Sequence, residues 1–230
     1  MEKNDLDKIE IWKQMLPDLE LAEDQRKERA REFLRLMTYY KCAMMELETR
    51  INLLNEEYLL THDRAPVSTI KTRLKTPQSI KEKLERQGLP FTYQSVMDNL
   101  HDIAGVRVIC AFTGDVYTLA DALFRQDDIQ LIRVKDYIAQ PKPNGYRSLH
   151  MIVSVPIYLA NEKRRMQVEV QLRTIAMDCW ASLEHQLRYK RNRVFTDEMA
   201  NELQECARMS AQLDQKMEAL RQTVGQSDRI

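Results

Sequence analysis

Cysteine, histidine and long apolar runs are all scarce in this chain of 230 residues. Its four cysteines, Cys42, Cys110, Cys179 and Cys206, are scattered with no Cys-x-x-Cys pair. That spacing argues against a disulfide framework and predicts reduced, buried thiols of a cytoplasmic protein. No apolar run approaches the ~20 residues that a membrane span needs, and no signal peptide is visible. Net charge is lacking too: 35 Lys+Arg balance 35 Asp+Glu. The chain therefore has no general basic excess for coating nucleic acid, and any affinity for anions must come from local clusters. No internal repeat is apparent.

What is present points to a folded domain. Hydrophobic residues make up 43% and charged residues 30%, a soluble globular balance rather than a disordered one. The length suits one domain with helical attachments: a helical extension over about 1–60, a core over about 61–191 and a last helix over about 196–224. In the first part, Phe33, Leu36, Met37, Tyr40, Ala43, Met44, Leu47, Ile51, Leu54 and Tyr58 recur at steps of three and four. That periodicity predicts a long amphipathic helix. A shorter helix is expected around Leu6–Met15, with Pro17 between the two.

The core alternates strand and helix signals. Strands are expected over Thr69–Lys75, Val106–Phe112, Ile129–Ile138, Leu149–Tyr158 and Met166–Thr174. Helices are expected from Pro77 to about Gln87, over Asp115–Arg125, and from Ile175 to about Lys190. The expected fold is α+β, a mixed β-sheet of about five strands flanked by helices. In the last part Met199, Leu203, Cys206, Ser210, Leu213, Met217, Leu220 and Val224 form a heptad-like stripe. Such a helix must bury its stripe against its own domain or another subunit.

Four constellations carry chemistry. Lys142-Pro143-Asn144-Gly145-Tyr146-Arg147-Ser148-Leu149-His150 is a turn-forming loop feeding an apolar strand. Asn-Gly permits a tight turn, the cations suit phosphate oxygens, and Tyr146 offers a face for a base. Taken alone it is also an ordinary polar hairpin loop. Arg73 and Lys75 share one strand face, with Ser79, Lys83 and Arg86 at helical spacing after them, a set suited to a polyphosphate or to a solvated basic face. Asp102 stands just before the central strand, where it suits Mg²⁺ or a pairing with Arg107 inside that strand. Finally, strict alternation puts Glu169, Gln171 and Arg173 on one strand face and Val168, Val170 and Leu172 in the core. Asp178, Ser182, His185 and Tyr189 then form one polar stripe on the following helix.

In order, Arg-x-Lys-x-x-x-Ser, Asp-Ile-Ala-Gly-Val-Arg, Lys-Pro-Asn-Gly-Tyr-Arg-Ser-x-His, Glu-Val-Gln-x-Arg-Thr and Trp-x-x-x-Glu-His-x-x-x-Tyr-Lys resemble the RelA/SpoT synthetase domain. The length resembles the small alarmone synthetases of that family. The resemblance covers roughly residues 40 to 191 and implies a nucleotidyltransferase-like fold. It also implies a reaction: the β,γ-pyrophosphate of ATP moves to the 3′-hydroxyl of GDP or GTP, giving ppGpp or pppGpp and AMP.

Residue by residue, Arg73, Lys75, Ser79, Lys83 and Arg107 match the ATP cluster, with Arg107 also placed to stack on adenine. Asp102 matches the Mg²⁺ ligand. Glu169 matches the acid that completes the metal site or takes the 3′-hydroxyl proton. Lys142, Asn144, Gly145, Tyr146, Arg147, Ser148 and His150 match the loop that receives GDP or GTP. Gln171 and Arg173 line the same face. Asp178 departs from relatives with Asn there; its carboxylate would accept from guanine N1–H and N2–H. Only four histidines are present and no upstream domain holds a second site, so synthesis without hydrolysis is expected. The resemblance further implies a homotetramer joined through terminal helices. Two other readings stay open: another nucleotidyltransferase of this fold, and a non-catalytic module binding nucleotide or single-stranded RNA. The acidic pair beside polyanions argues against the second.

Overall fold

A computed structural model describes residues 3–15, 22–62, 64–189 and 195–227. Helix α1 (Lys3–Met15) leads to the long α2 (Glu23–His62), and β1 (Val67–Leu74) opens the core. There follow α3 (Pro77–Arg86), α4 (Tyr93–Asn99), β2 (Ala104–Cys110), α5 (Thr113–Phe124), β3 (Gln130–Asp136), β4 (Leu149–Tyr158) and β5 (Lys163–Thr174). Helices α6 (Ile175–Tyr189) and α7 (Asp197–Ser227) complete the order. The expected break at Pro17 and the expected helix end at Lys190 lie outside the described residues.

Five strands form one mixed sheet in the order β1-β2-β5-β4-β3. All neighbours are antiparallel except the central pair, β2 and β5, which run parallel with Gly105 opposite Glu169 and Arg107 opposite Gln171. The expected α+β architecture is thus the observed one. The period-three-and-four stripe of α2 is its buried face: Phe33, Leu36, Tyr40, Ala43, Leu47 and Ile51 pack toward the sheet. Burying a side chain such as Leu36 or Leu47 contributes about 1.5–3 kcal/mol relative to exposure. Val168, Val170 and Leu172 of β5 meet that layer from the sheet side. Pleating then turns Glu169 and Gln171 to the opposite face.

Two expectations need correction, and α7 adds a finding. Helix α4 has no counterpart in the predicted elements; it is a short helix started by Thr92, whose Oγ1 accepts from the Ser95 amide. The cysteines are not uniformly buried: Cys110 is, and burial pushes its thiol up to about 12, but Cys179 and Cys206 are exposed. Helix α7 does not bury its stripe on its own domain. Its packed face is Leu203, Ala207, Ser210, Ala211, Asp214, Glu218 and Arg221. The apolar stripe mostly points outward, with Leu213 52%, Leu220 59% and Val224 61% exposed. This orientation has a physical cause: small residues let the helix approach the core closely, and its inward charges find partners there. Arg221 pairs with Asp115, and Glu218 accepts from the Gly114 amide at the start of α5.

Candidate active site

Two carboxylates occupy the middle of the open sheet face. Asp102 sits just ahead of β2. The end of β1 is pinned beside it, because the Lys75 amide donates to the Ile103 carbonyl at 2.8 Å. Lys75 Nζ then donates to Asp102 Oδ2 at 2.8 Å, and Lys83 Nζ of α3 lies 2.7 Å from Oδ1. Helix α3 is started by Thr76 as N-cap with Pro77 behind it, which fixes Lys83 about two turns on. Burial would push the Asp102 carboxyl up, but the two lysines outweigh it and hold the group below its ordinary range.

Glu169 lies on β5, opposite Gly105 of β2. Its Oε2 accepts from Gln171 Nε2 at 2.9 Å and its Oε1 is 3.5 Å from His150 Nδ1. Burial again pushes this carboxyl up; His150 and Gln171 more than offset it, and it too is lowered. Both acids are therefore ionised at neutral pH.

Two cavities meet at these acids. One, of about 500 Å³, is lined by Lys71, Arg73, Lys75, Arg107 and Gln171. The other, of about 380 Å³, is lined by Lys83, His101, Arg133, Lys135, Tyr137, Lys142 and His150. Among the described residues only Asp102 and Glu169 line both. Each cavity thus offers four lysine and arginine side chains, a balance suited to a polyphosphate chain. Arg133 and Lys135 were not foreseen. The signal was there: alternation along β3 puts Arg133, Lys135 and Tyr137 on one face, and Lys135 pairs with His150 in register.

The loop before β4 shapes the second cavity. The Gly145 amide donates to the Lys142 carbonyl at 2.8 Å, and the Lys142 amide donates to the Tyr146 carbonyl at 3.1 Å. Gly145 has φ 87°, a conformation in which a side chain is strained. Asn144 Oδ1 accepts from the Tyr146 amide, and its Nδ2 donates to Glu184. Tyr146 Oη contacts His150 Nε2 at 2.7 Å and accepts from Arg173 Nη2 at 2.5 Å. Lys142 Nζ lies 4.8 Å from the Tyr146 ring centroid and the Arg173 guanidinium 5.0 Å. The ring itself lines neither cavity and packs on the side of Trp180 and Ala207; a nucleobase would reach its face by displacing Lys142.

Some expected site residues point elsewhere. Ser148 is fully buried, and its hydroxyl donates to the Leu172 carbonyl at 3.1 Å; it braces the loop and presents nothing to a ligand. Arg147 turns away from both cavities to pair with Asp214 of α7 at 2.9 Å. Ser79 lines neither cavity; its Oγ accepts from Thr76 Oγ1. Arg107 pairs not with Asp102 but with Asp178, at 3.4 Å. Asp178 is an ion-pair hub: Oδ1 also accepts from Arg173 at 3.1 Å and Oδ2 from Lys71 at 2.9 Å. Burial raises its pKa, but Lys71, Arg107 and Arg173 outweigh that and lower it. Both oxygens are committed to cations that line or border the cavities, so Asp178 orients them rather than standing free for a guanine edge.

The donor set fits a divalent cation of the magnesium type. Two ionised carboxylates face the space where two phosphate chains would meet, and Mg²⁺ is usually held by one or two carboxylates together with substrate phosphates. Among the described residues no group of three or more His, Cys, Asp or Glu side chains forms an all-protein metal cage.

The family described as the region found in RelA / SpoT proteins matches residues 72–194, more than half of the chain. GTP pyrophosphokinase YwaC of Bacillus subtilis is 43% identical over 185 residues, covering 80% of this chain and 88% of that protein. GTP pyrophosphokinase YjbM of the same organism is 32% identical over 187 residues, covering 81% and 87%. Among solved structures, small alarmone synthetase 1 from B. subtilis bound to its product pppGpp superposes with a TM-score of 0.76 at 31% identity, covering 84% of this chain and 98% of that one. Small alarmone synthetase 2 from that organism gives 0.74 at 40% identity, covering 81% and 97%. The family match over more than half of the chain and these likenesses in sequence and fold agree: the chain belongs to the RelA/SpoT family.

Proposed function

We propose that this protein is a GTP/GDP pyrophosphokinase that makes the alarmones ppGpp and pppGpp. The observation that carries the reading is the sharing of Asp102 and Glu169 between two cation-lined cavities. A phosphoryl-type transfer between two nucleotides needs such a meeting point and little covalent help from the protein. ATP occupies the cavity of Arg73, Lys75 and Arg107, with Ser79 and Lys83 at the start of α3 on its phosphate side. GDP or GTP occupies the other, its base on Tyr146, its ribose and phosphates toward Lys142, His150, Arg133 and Lys135. Gln171 and Arg173 lie on the face between them.

The 3′-hydroxyl oxygen of the acceptor attacks the β-phosphorus of ATP. The new bond is 3′-O–Pβ; the Pα–O–Pβ bridge breaks on the β side, and its oxygen leaves with AMP. The hydroxyl proton passes to the Glu169 carboxylate. Asp102 and Glu169 would hold Mg²⁺, which when bound neutralises phosphate charge at the reacting centre. Lys75 and Lys83, now on Asp102, are long enough to turn to phosphate oxygens as substrate enters.

The same reading extends to assembly and place. The outward apolar stripe of α7 continues onto α6, where Ile175, Leu183 and Leu187 are exposed too. A surface of that kind suits another copy of the chain, and a homotetramer through the terminal helices is the proposed state. Among the described residues no helix is long and apolar enough to cross a membrane, and the cytoplasm, where both nucleotides are made, is the proposed compartment. The test is ATP with GDP, GTP or GMP and Mg²⁺, followed by nucleotide separation and mass spectrometry. Release of AMP with a 3′-pyrophosphorylated guanine nucleotide is the expected result. Release of inorganic pyrophosphate would mark nucleotidyl transfer and overturn the proposal.

A further inference from the structure

Among the described residues none of α7 lines either cavity, yet this helix carries the loop that shapes one of them. A Cβ at Gly145 would come within 2.4 Å of the Ala207 Cβ and 3.9 Å of Trp180 Cζ2. The loop backbone therefore lies directly on α7, and both contact residues must be small. Polar ties surround the seat. Arg147 Nη1 donates to Asp214 Oδ2 at 2.9 Å, and Gln204 Nε2 donates to the Pro143 carbonyl at 3.3 Å. Asp214 also takes a hydrogen bond from Thr174. Thr174 ends β5, next to Arg173, so this one carboxylate joins the loop to the strand that bears Glu169.

Asp214 is 7% exposed. Burial pushes its carboxyl up, and Thr174 and Arg147 offset only part of that. A carboxyl raised in the folded state favours folding least when it is ionised, so its stabilising effect falls as pH climbs past the ordinary value of 3.8. Such a group is better explained by what it holds in place than by stability.

We propose that Asp214, with Ala207, positions the acceptor site: α7 sets the height and tilt of the loop over residues 142–147 and thereby the affinity for the guanine nucleotide, without touching it. The proposal rests on the reading of that loop as the acceptor site. The ATP cavity meets α7 only through Thr174 at the far end of β5; its cations Lys71, Arg73, Lys75 and Arg107 stand on or beside β1 and β2.

Trp180 supplies a readout independent of turnover. The chain has two tryptophans, so Trp12→Phe leaves Trp180, which packs with Ala207 and Tyr146, as the single emitter. In that background, Asp214→Asn and Ala207→Leu are each compared with the parent. The expected result is a changed Trp180 emission in the unliganded protein and a rise of about tenfold or more in KM for GDP and GTP, the scale of a misplaced binding group. KM for ATP should stay within about twofold, since a misplaced loop leaves the other cavity intact, and Asp214→Glu should recover part of the loss. Equal rises in both KM values would overturn the proposal, as would unchanged emission and unchanged acceptor KM in both variants. A collapse of the helical circular dichroism on Asp214→Asn would overturn it for that residue, marking a structural strut, and Ala207→Leu would then decide for the helix. If GDP and GTP change neither emission nor product in the parent, it is the acceptor reading that fails, a separate outcome.

Discussion

Lys75 grips Asp102 twice, by its carboxylate Oδ2 at 2.8 Å and by its main-chain carbonyl at 3.2 Å. With Lys83 on Oδ1, the carboxylate is oriented and ionised before any substrate arrives. Asp102→Asn keeps the shape and removes the charge. Turnover should fall by 10² or more, as should that of Glu169→Gln, because charge neutralisation and proton acceptance each contribute on that scale. Steady-state AMP release measures it; near-normal rates in either variant would remove that residue from the mechanism.

Tyr146 joins ring and hydroxyl functions that two substitutions separate. Tyr146→Ala should weaken GDP or GTP binding by about 1–3 kcal/mol, the usual worth of a base stack. Tyr146→Phe keeps the ring and loses only the contacts with His150 and Arg173, so its loss should be smaller. ATP binding should change little in both, as Tyr146 does not line the cavity of Arg73 and Lys75. Calorimetry with each nucleotide distinguishes these outcomes; an equal loss for ATP and GDP would make the ring structural.

Acid should loosen the ion-pair hub around Asp178. Its carboxyl is lowered from 3.8 by Lys71, Arg107 and Arg173 against the opposing pull of burial. A lowered carboxyl stabilises the fold fully above its unfolded value, and that contribution disappears as pH drops through the folded one. Thermal unfolding should therefore show a loss of Tm below about pH 4, where carboxylates of this kind protonate. Asp178→Asn should flatten that part of the profile while lowering Tm at pH 7. A variant whose acid profile parallels the wild type would assign the loss to other groups.

The outward stripe predicts an assembly sensitive to charge. Leu213→Asp with Leu220→Asp places two carboxylates on the exposed apolar face, where an interface would have to bury them at a cost of several kcal/mol each. Light scattering should find an oligomer for the wild type and a smaller species for the double variant. A wild-type monomer at micromolar concentration, or an unchanged oligomer in the variant, would move the interface elsewhere.

Strand periodicity was the most legible part of this chain. Leu149–Tyr158 is observed with the bounds its apolar run predicts, and β5 shows its alternating faces because burial on one side enforces period two. Side-chain direction in the loop was not legible. His150 faces the cavity and Tyr146 lies behind it, while Arg147 reaches α7 and Ser148 reaches β5, choices set by partners distant in sequence. The α7 stripe shows the same limit. Its period was readable, but its orientation depended on Asp115, Gly114 and Gly145, which reward small and charged residues on the inner face. Arg133 and Lys135 were hidden differently: alternation marked their strand, and only the register with β4 showed which face met the acids.

The parallel pairing of β2 with β5 also sets a timetable for the chain as it is made. Arg107 and Gln171 are 64 positions apart and side by side, so closing that loop costs roughly 4 kcal/mol in chain entropy before any contact repays it. β3 and β4 reach the sheet's far edge only through β5. A nascent chain that ends before residue 163 has Asp102 but no Glu169, and neither cavity. Competence to bind both nucleotides therefore arrives late and all at once, and an unfinished chain on the ribosome cannot consume ATP by this route.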